Sequence, residues 1–180
     1  MNYKNITSKN DKQIEQMIRV NQAGEFGAKR IYEGQLVVLK NDKKYKIIKR
    51  MADQEEEHLK TFNKMMVEKG VRPTLLSPLW NIGGFVLGAT TAFISTEAAM
   101  ACTVAVEEVI DKHYESQKLL LRKKKKEKKL LKTIEKFRLQ ELEHKNIALK
   151  NDAEKTKNYR NLTRGIKVIT SMAIFLSKRI

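Results

Sequence analysis

The sequence predicts an all-α protein, a four-helix bundle built around a dinuclear metal core. Three observations carry that reading. Hydrophobic residues make up 41% of the 180-residue chain, against only eight Gly and two Pro, a composition that favours long helices. Two Glu-x-x-His pairs occur, Glu55/His58 in QEEEH and Glu141/His144 in QELEH. Two more glutamates, Glu25 in RVNQAGEFGA and Glu107 in AVEEVIDKHY, sit in apolar surroundings. A buried carboxylate costs several kcal/mol unless something pairs with it. Four carboxylates and two imidazoles are a ligand set for two metal ions.

The elements follow in order. Ser8 to Asp11 reads as a capping box opening helix one, which runs to about Lys40. Asn41-Asp42 marks a turn, and helix two ends near Gly70, a residue suited to the left-handed position after a helix. Pro73 and Pro78 break the chain in RPTLLSP. No charged residue occurs from Pro73 to Thr96. That length makes 79–94 a transmembrane candidate. Its three glycines, its Thr and Ser residues and the adjacent Glu97 favour instead an apolar helix packed on the bundle or lying in the membrane plane. Helix three runs from about Ser95 to Leu121, the basic run RKKKKEKK at 122–129 interrupts it, and helix four takes 130 to about 150. A last helix from about Tyr159 places Ile166, Ile169, Ala173 and Leu176 on one face. The whole of 1–180 reads as one domain.

The spacings place the four acidic sites at one depth. Glu25 and Glu55 are centred on residue 40, at the first turn; Glu107 and Glu141 are centred on residue 124, in the basic run. In an antiparallel helix pair, residues equidistant from the turn lie level, here roughly 22 to 26 Å from it. Each hairpin therefore sets a Glu beside its own Glu-x-x-His, the arrangement of di-iron four-helix bundles. The faces agree. Ile48, Met51, His58 and Phe62 share the stripe of Glu55, and Ile134, Phe137, His144 and Ala148 share that of Glu141 at the same offsets. Glu107 shares a face with Met100, Ile110 and Tyr114, whereas Glu108 aligns with Glu97 and Glu115, so Glu107 is the ligand candidate. Glu56 and Glu57 lie off the stripe and read as solvated.

Carboxylates with imidazoles suit iron or manganese rather than thiolate-loving ions. His113 and Tyr114 follow Glu107 by six and seven residues. They read either as a half-buried polar pair or as a proton or electron relay beside the metals. The net charge of +16 points to an anionic partner. A membrane surface fits better than nucleic acid, for which there is no binding motif or aromatic interleaving. The lysine run reads as a solvated turn or as an anionic-lipid contact. Cys102 is the only cysteine, which excludes an internal disulfide and favours a reducing compartment. The segment MNYKNITSKNDK lacks an apolar signal core and is short for a transit peptide, an expectation that leans toward a bacterial source.

RVNQAGEFGA, QEEEH, ACTVAVEEVIDKHY and FRLQELEHKNIAL, in that order, resemble the demethoxyubiquinone hydroxylases of ubiquinone biosynthesis, the Coq7 family. The likeness extends from about residue 12 through the closing AIFLSKRI. It implies a ferritin-like bundle with a di-iron core, plus apolar membrane-facing crossover and C-terminal helices. It implies a monooxygenase that hydroxylates a polyprenylated demethoxyubiquinone ring with O₂ and NADH-derived electrons. The family's metal ligands fall on Glu25, Glu55, His58, Glu107, Glu141 and His144, and its His-Tyr pair for quinone reduction on His113 and Tyr114. The implied location is peripheral, on the cytoplasmic face of a bacterial inner membrane or the matrix face of the mitochondrial one. Homo-oligomers and accessory proteins of ubiquinone biosynthesis are the implied partners, and nucleic acid is not. Gln22 stands where members often have His, and Phe26 where they often have Tyr. Two rival readings remain: a ferritin-like iron oxidase or peroxide-handling protein, and a basic membrane or RNA adaptor with a purely structural metal.

Overall fold

The computed structural model describes residues 9–125 and 127–179. It contains six α-helices: α1 (Lys9–Val38), α2 (Tyr45–Lys69), α3 (Ser77–Ile94), α4 (Thr96–Lys124), α5 (Lys128–Lys150) and α6 (Tyr159–Ser177), with a 3₁₀ turn at Ala153–Lys155 before the last. There is no strand among the described residues. The capping box expected at Ser8 lies outside the described residues.

Two hairpins, α1–α2 and α4–α5, form the bundle, with α3 laid on α1 and α6 on α4. Short-range chemistry sets the hairpin ends. Asp42 accepts from the Lys44 backbone N–H at 2.7 Å, which folds the first turn. Its other oxygen accepts from Thr96 Oγ1 at 2.8 Å, and Lys44 Nζ reaches the Asn151 carbonyl at 2.7 Å. One turn thus ties together the start of α4 and the end of α5. Helix α2 ends as expected at Gly70, whose φ of 64° lets Val71 N–H reach back to the Met66 carbonyl at 2.9 Å.

The basic run departs from expectation. Instead of an eight-residue interruption, α4 continues through Lys124 and α5 begins at Lys128. Lysine is a good helix former, and Arg122 secures the junction by donating from Nε to Glu135 at 3.0 Å. The left-handed residues Lys125 (φ 51°) and Glu127 (φ 55°) make the reversal.

Gly84 and Gly88 of α3 and Gly34 of α1 have a packing reason. A Cβ on Gly88 would strike the backbone of Ile31, one on Gly34 the backbone of Phe85, and one on Gly84 would come within 2.8 Å of the Gly27 carbonyl. Helices α1 and α3 therefore touch backbone to backbone, which no larger residue permits. At the far end of α3, Trp80 Nε1 donates to Ser177 Oγ at 2.9 Å and fastens it to α6.

The outer faces of α3 and α6 remain apolar. Leu79, Ile82, Val86 and Phe93 on α3 and Val168, Ile169, Met172 and Phe175 on α6 are all more than half exposed. On the apolar face expected for the last helix, Ile166 is buried and Ile169 is 56% exposed. Helix α6 presents apolar residues in two directions because it lies on the bundle rather than within it. Among the described residues, no helix is long and apolar enough to cross a membrane.

Candidate metal centre

Every residue of the expected cluster reaches the bundle core. Glu25 comes from α1, Glu55 and His58 from α2, Glu107 from α4, and Glu141 and His144 from α5; each is at most 1% exposed. Ile48, Met51 and Phe62 of α2 and Ile134, Phe137 and Ala148 of α5 are buried on the same stripes. Glu108, by contrast, lies outside the core and pairs with Lys167. Glu56 pairs with Lys29, and Glu57 is 71% exposed.

The cluster resolves into two overlapping sites. Glu25, Glu55, His58 and Glu141 bring ligand atoms within 4.8 Å of one another, as do Glu55, Glu107, Glu141 and His144. Glu55 and Glu141 belong to both. Glu141 Oε1 lies 3.0 Å from His58 Nδ1 and its Oε2 lies 3.1 Å from His144 Nδ1. Glu55 Oε1 lies 3.0 Å from His144 Nδ1 and its Oε2 lies 3.9 Å from His58 Nδ1. Each of these carboxylates therefore faces both imidazoles, as a bridge between two ions requires. Glu25 and Glu107 each belong to one site.

Residues outside the expected set hold these groups in place. His58 Nε2 is 3.0 Å from Gln140 Oε1, and His144 Nε2 is 2.8 Å from Gln54 Oε1. A glutamine oxygen can only accept, so each Nε2 carries a proton and each Nδ1 faces the carboxylates. The signal was present in the sequence: a Gln immediately precedes the Glu in both QEEEH and QELEH. Tyr114 donates to Glu25 Oε1. Tyr32, unforeseen like the two glutamines, donates to Glu107 Oε1 at 3.1 Å. It too was legible, since Tyr32 follows Glu25 by seven residues, as Tyr114 follows Glu107.

His113 and Tyr114 diverge. Tyr114 is 1% exposed with its hydroxyl in the core. The His113 ring turns away, its Nε2 2.6 Å from Gln117 Nε2, and Gln117 exchanges hydrogen bonds with buried Asn21 at 2.8 and 2.9 Å. Burial, with Lys178 nearby, pushes His113 down to about 4. It is neutral at pH 7, accepting from Gln117 at Nε2. Gln22, at a position where the resemblance expects a frequent His, bonds Asn63 at 3.1 Å on the exposed side of α1.

The electrostatics suit bound cations. Of eleven buried side-chain N and O atoms lacking a hydrogen-bond partner among the described residues, eight belong to these six residues. Burial, then the Glu141 charge, pushes Glu55 and Glu107 well above the usual carboxylate range. For Glu141, burial is outweighed by the adjacent His144 and His58 imidazoles, which bring it down to about 2. Burial likewise opposes protonation of His58 and His144, but the carboxylates around them hold these up at about 12 and about 11. The imidazoles thus stand in as the local cations of the metal-free protein. With both neutral, four carboxylates carry four negative charges, which two divalent ions balance. The donor set fits the group.

An apolar cavity of about 360 Å³ lies among α1, α3, α4 and α6. Gly24, Gly27 and Gly83, where a Cβ would meet nothing within 4 Å, supply much of its room. Two wall residues, Gly24 and Val106, are the chain neighbours of Glu25 and Glu107.

Fold and site together define a helical bundle with two overlapping, buried Glu/His groups that could hold metal ions, beside an apolar cavity. The chain belongs to the ubiquinone biosynthesis protein COQ7 family, whose profile matches residues 12–177, and it is a hydroxylase of that family. It is 50% identical over 184 residues to the NADPH-dependent 3-demethoxyubiquinone 3-hydroxylase, mitochondrial, of Dictyostelium discoideum, covering 98% of this chain and 85% of that protein. The human protein of the same name is 50% identical over 169 residues, 93% of this chain and 78% of its own. The 3-demethoxyubiquinol 3-hydroxylase of Rhodospirillum rubrum is 45% identical over 168 residues, again 93% and 78%.

Proposed function

We propose that this chain hydroxylates the unsubstituted ring carbon of a polyprenylated demethoxyubiquinone, a late step of ubiquinone biosynthesis. Two irons would be held by Glu25, Glu55, His58, Glu107, Glu141 and His144. The observation that carries the reading is the apolar cavity whose wall residues adjoin Glu25 and Glu107. A storage protein has no use for such a cavity, whereas a quinone ring with a hydrocarbon tail fits it.

When bound, the irons supply O₂ activation. The chain's own residues do the rest. Gln54 and Gln140 fix the imidazole tautomers. Gly24, Gly27 and Gly83 make room for a flat ring, and the apolar walls exclude water. Tyr114 can pass a proton at Glu25 Oε1, the atom its hydroxyl already touches. His113, neutral and seated on Gln117 and Asn21, assists delivery of protons or electrons to the ring from outside the core.

The exposed apolar faces of α3 and α6 support peripheral docking on a membrane that carries the substrate's tail. Arg160, Arg164 and Lys167 line a groove on α6 together with Val168, Met172 and Phe175. Cations beside exposed hydrophobics suit an anionic bilayer surface. Mitochondrial and bacterial relatives both occur, so the reading holds for either inner membrane. The electron source would be a reduced nicotinamide nucleotide. The family resemblance implies NADH, while the names of several relatives specify NADPH.

The test is anaerobic loading with ferrous iron, followed by a demethoxyubiquinone analogue, NADH or NADPH, and labelled O₂, read by mass spectrometry. A quinone carrying one labelled oxygen is expected. Iron oxidation with no oxygenated quinone under either nucleotide would instead support the ferritin-like iron oxidase.

A further inference from the structure

The helices that carry Glu25 and Glu107 repeat one another at an offset of 82 residues. Glu25 matches Glu107, Tyr32 matches Tyr114, and Gln35 matches Gln117. All six are buried. The hydrogen bonds cross between the halves: Tyr32 donates to Glu107 Oε1 at 3.1 Å, and Tyr114 donates to Glu25 Oε1. In each of these glutamates Oε2 is buried without a hydrogen-bond partner. Glu55 and Glu141 differ, for neither oxygen of either has one. The four carboxylates thus fall into two kinds. Two offer both oxygens and face both imidazoles; two have one oxygen held by a phenol.

We propose that Tyr32 is a positioning residue that holds Oε1 of Glu107 so that this carboxylate binds its metal ion through one oxygen, with Tyr114 doing the same for Glu25. A carboxylate with both oxygens free can take two positions on one ion. A phenol O–H on one oxygen competes with that mode and leaves the second position open to an outside ligand. Tyr32 suits the task because a fully packed phenol cannot swing away: it is 2% exposed, its hydroxyl lies 3.9 Å from Met51 Sδ, and its ring meets that of His144 edge-on at 6.2 Å. The halves differ beyond the phenols. His113, before Tyr114, corresponds to Ile31, before Tyr32, so the polar chain through Gln117 and Asn21 reaches only the Tyr114 side. Tyr32 therefore has the positioning role without a neighbouring imidazole.

This inference rests on the dinuclear iron centre proposed above, and the test separates the two. Wild-type, Tyr32→Phe and Tyr114→Phe proteins are loaded with iron and oxidised. Metal content, Mössbauer spectra and azide affinity are then measured, none of which needs turnover. Tyr32→Phe is expected to keep two irons per chain, to alter the Mössbauer parameters of one iron only, and to bind azide several-fold more weakly because Glu107 closes the open position. Tyr114→Phe is expected to alter the other iron. A Tyr32→Phe protein with two irons and wild-type spectra and azide affinity overturns the proposal. So does one that folds, by circular dichroism, yet loses iron, since Tyr32 would then retain metal rather than set the ligation mode. A wild-type chain that fails to take up two irons overturns the underlying centre as well.

Discussion

Gln140 Oε1 lies 3.0 Å from His58 Nε2, across the bundle from α5 to α2, and the reverse contact from Gln54 to His144 is 2.8 Å. The residue that orients each imidazole therefore comes from the other half of the molecule. Neither half can prepare its own histidine for metal.

Replacing Gln140 by Leu leaves His58 Nε2 without its acceptor and frees the ring to turn. Loss of such a support typically costs about 10- to 100-fold in metal affinity. Competition against a chelator is expected to show weaker binding in Gln140→Leu, with far-ultraviolet circular dichroism unchanged. Gln54→Leu should match it, and wild-type affinity in both would remove the glutamines from the centre.

Metal uptake should release protons. His58 and His144 titrate near 12 and 11 in the metal-free protein because Glu141, Glu25 and Glu55 surround them. Their folded values lie above the ordinary value of 6.5. Their contribution to stability is therefore complete below about pH 6.5 and is lost as pH rises through 11 to 12. Ligation needs Nδ1 unprotonated, so the ions displace those protons and bind more tightly as pH rises. Ferrous or manganous affinity should increase from pH 6 to pH 8, and calorimetry in buffers of different ionisation enthalpy should register proton release. An affinity independent of pH would contradict this picture.

His113 carries the opposite sign. Its folded value, about 4, lies below the ordinary 6.5, so its contribution to stability is present above pH 6.5 and fades as pH falls through 4. NMR of ring-labelled protein should find His113 neutral from pH 6 to pH 8. A midpoint near 6.5 would mean the ring is not held as described.

The glycines divide into two kinds by consequence. Gly88→Ala drives a methyl into the Ile31 backbone and should destabilise the fold by about 1–3 kcal/mol, as overpacking does. At Gly83 nothing lies within 4 Å of a new Cβ, and the position faces the cavity. Gly83→Leu should leave melting temperature and iron content near wild type while raising the KM for a quinone substrate. Equal thermal losses in both variants would refute the distinction.

Docking through α3 and α6 has its own test. Ile82→Asp with Phe175→Asp changes two side chains that are 66% and 54% exposed, so the fold should persist. Flotation with anionic vesicles should fall sharply, and retention at the wild-type level would move the docking face elsewhere.

Much of the site was legible in the sequence because a helix converts spacing into a face. The pairs Glu55/His58 and Glu141/His144, set among Ile48, Met51, Ile134 and Phe137, could be assigned to inward stripes from periodicity alone. The choice of Glu107 over Glu108 followed from the same phase. The α4–α5 reversal was less legible, since propensity and charge pull a lysine run in opposite directions. The exposure of Ile169 was hidden because an apolar stripe does not say whether protein or another apolar phase covers it.

By itself the sequence determined the helices, their apolar faces and the level at which four carboxylates and two imidazoles meet, because these depend on chain-local periodicity and on distance from a turn. Only the tertiary structure decided which group touches which: that Glu55 and Glu141 face both histidines, that Gln54, Gln140, Tyr32 and Tyr114 reach across to the opposite half, and that His113 and Tyr114 point to different places. It also made a cavity from glycines on two separate helices. Those relations depend on how α1, α2, α4 and α5 are rotated and spaced against one another. That rotation is set by the packing of the whole core, to which no single segment's pattern gives access.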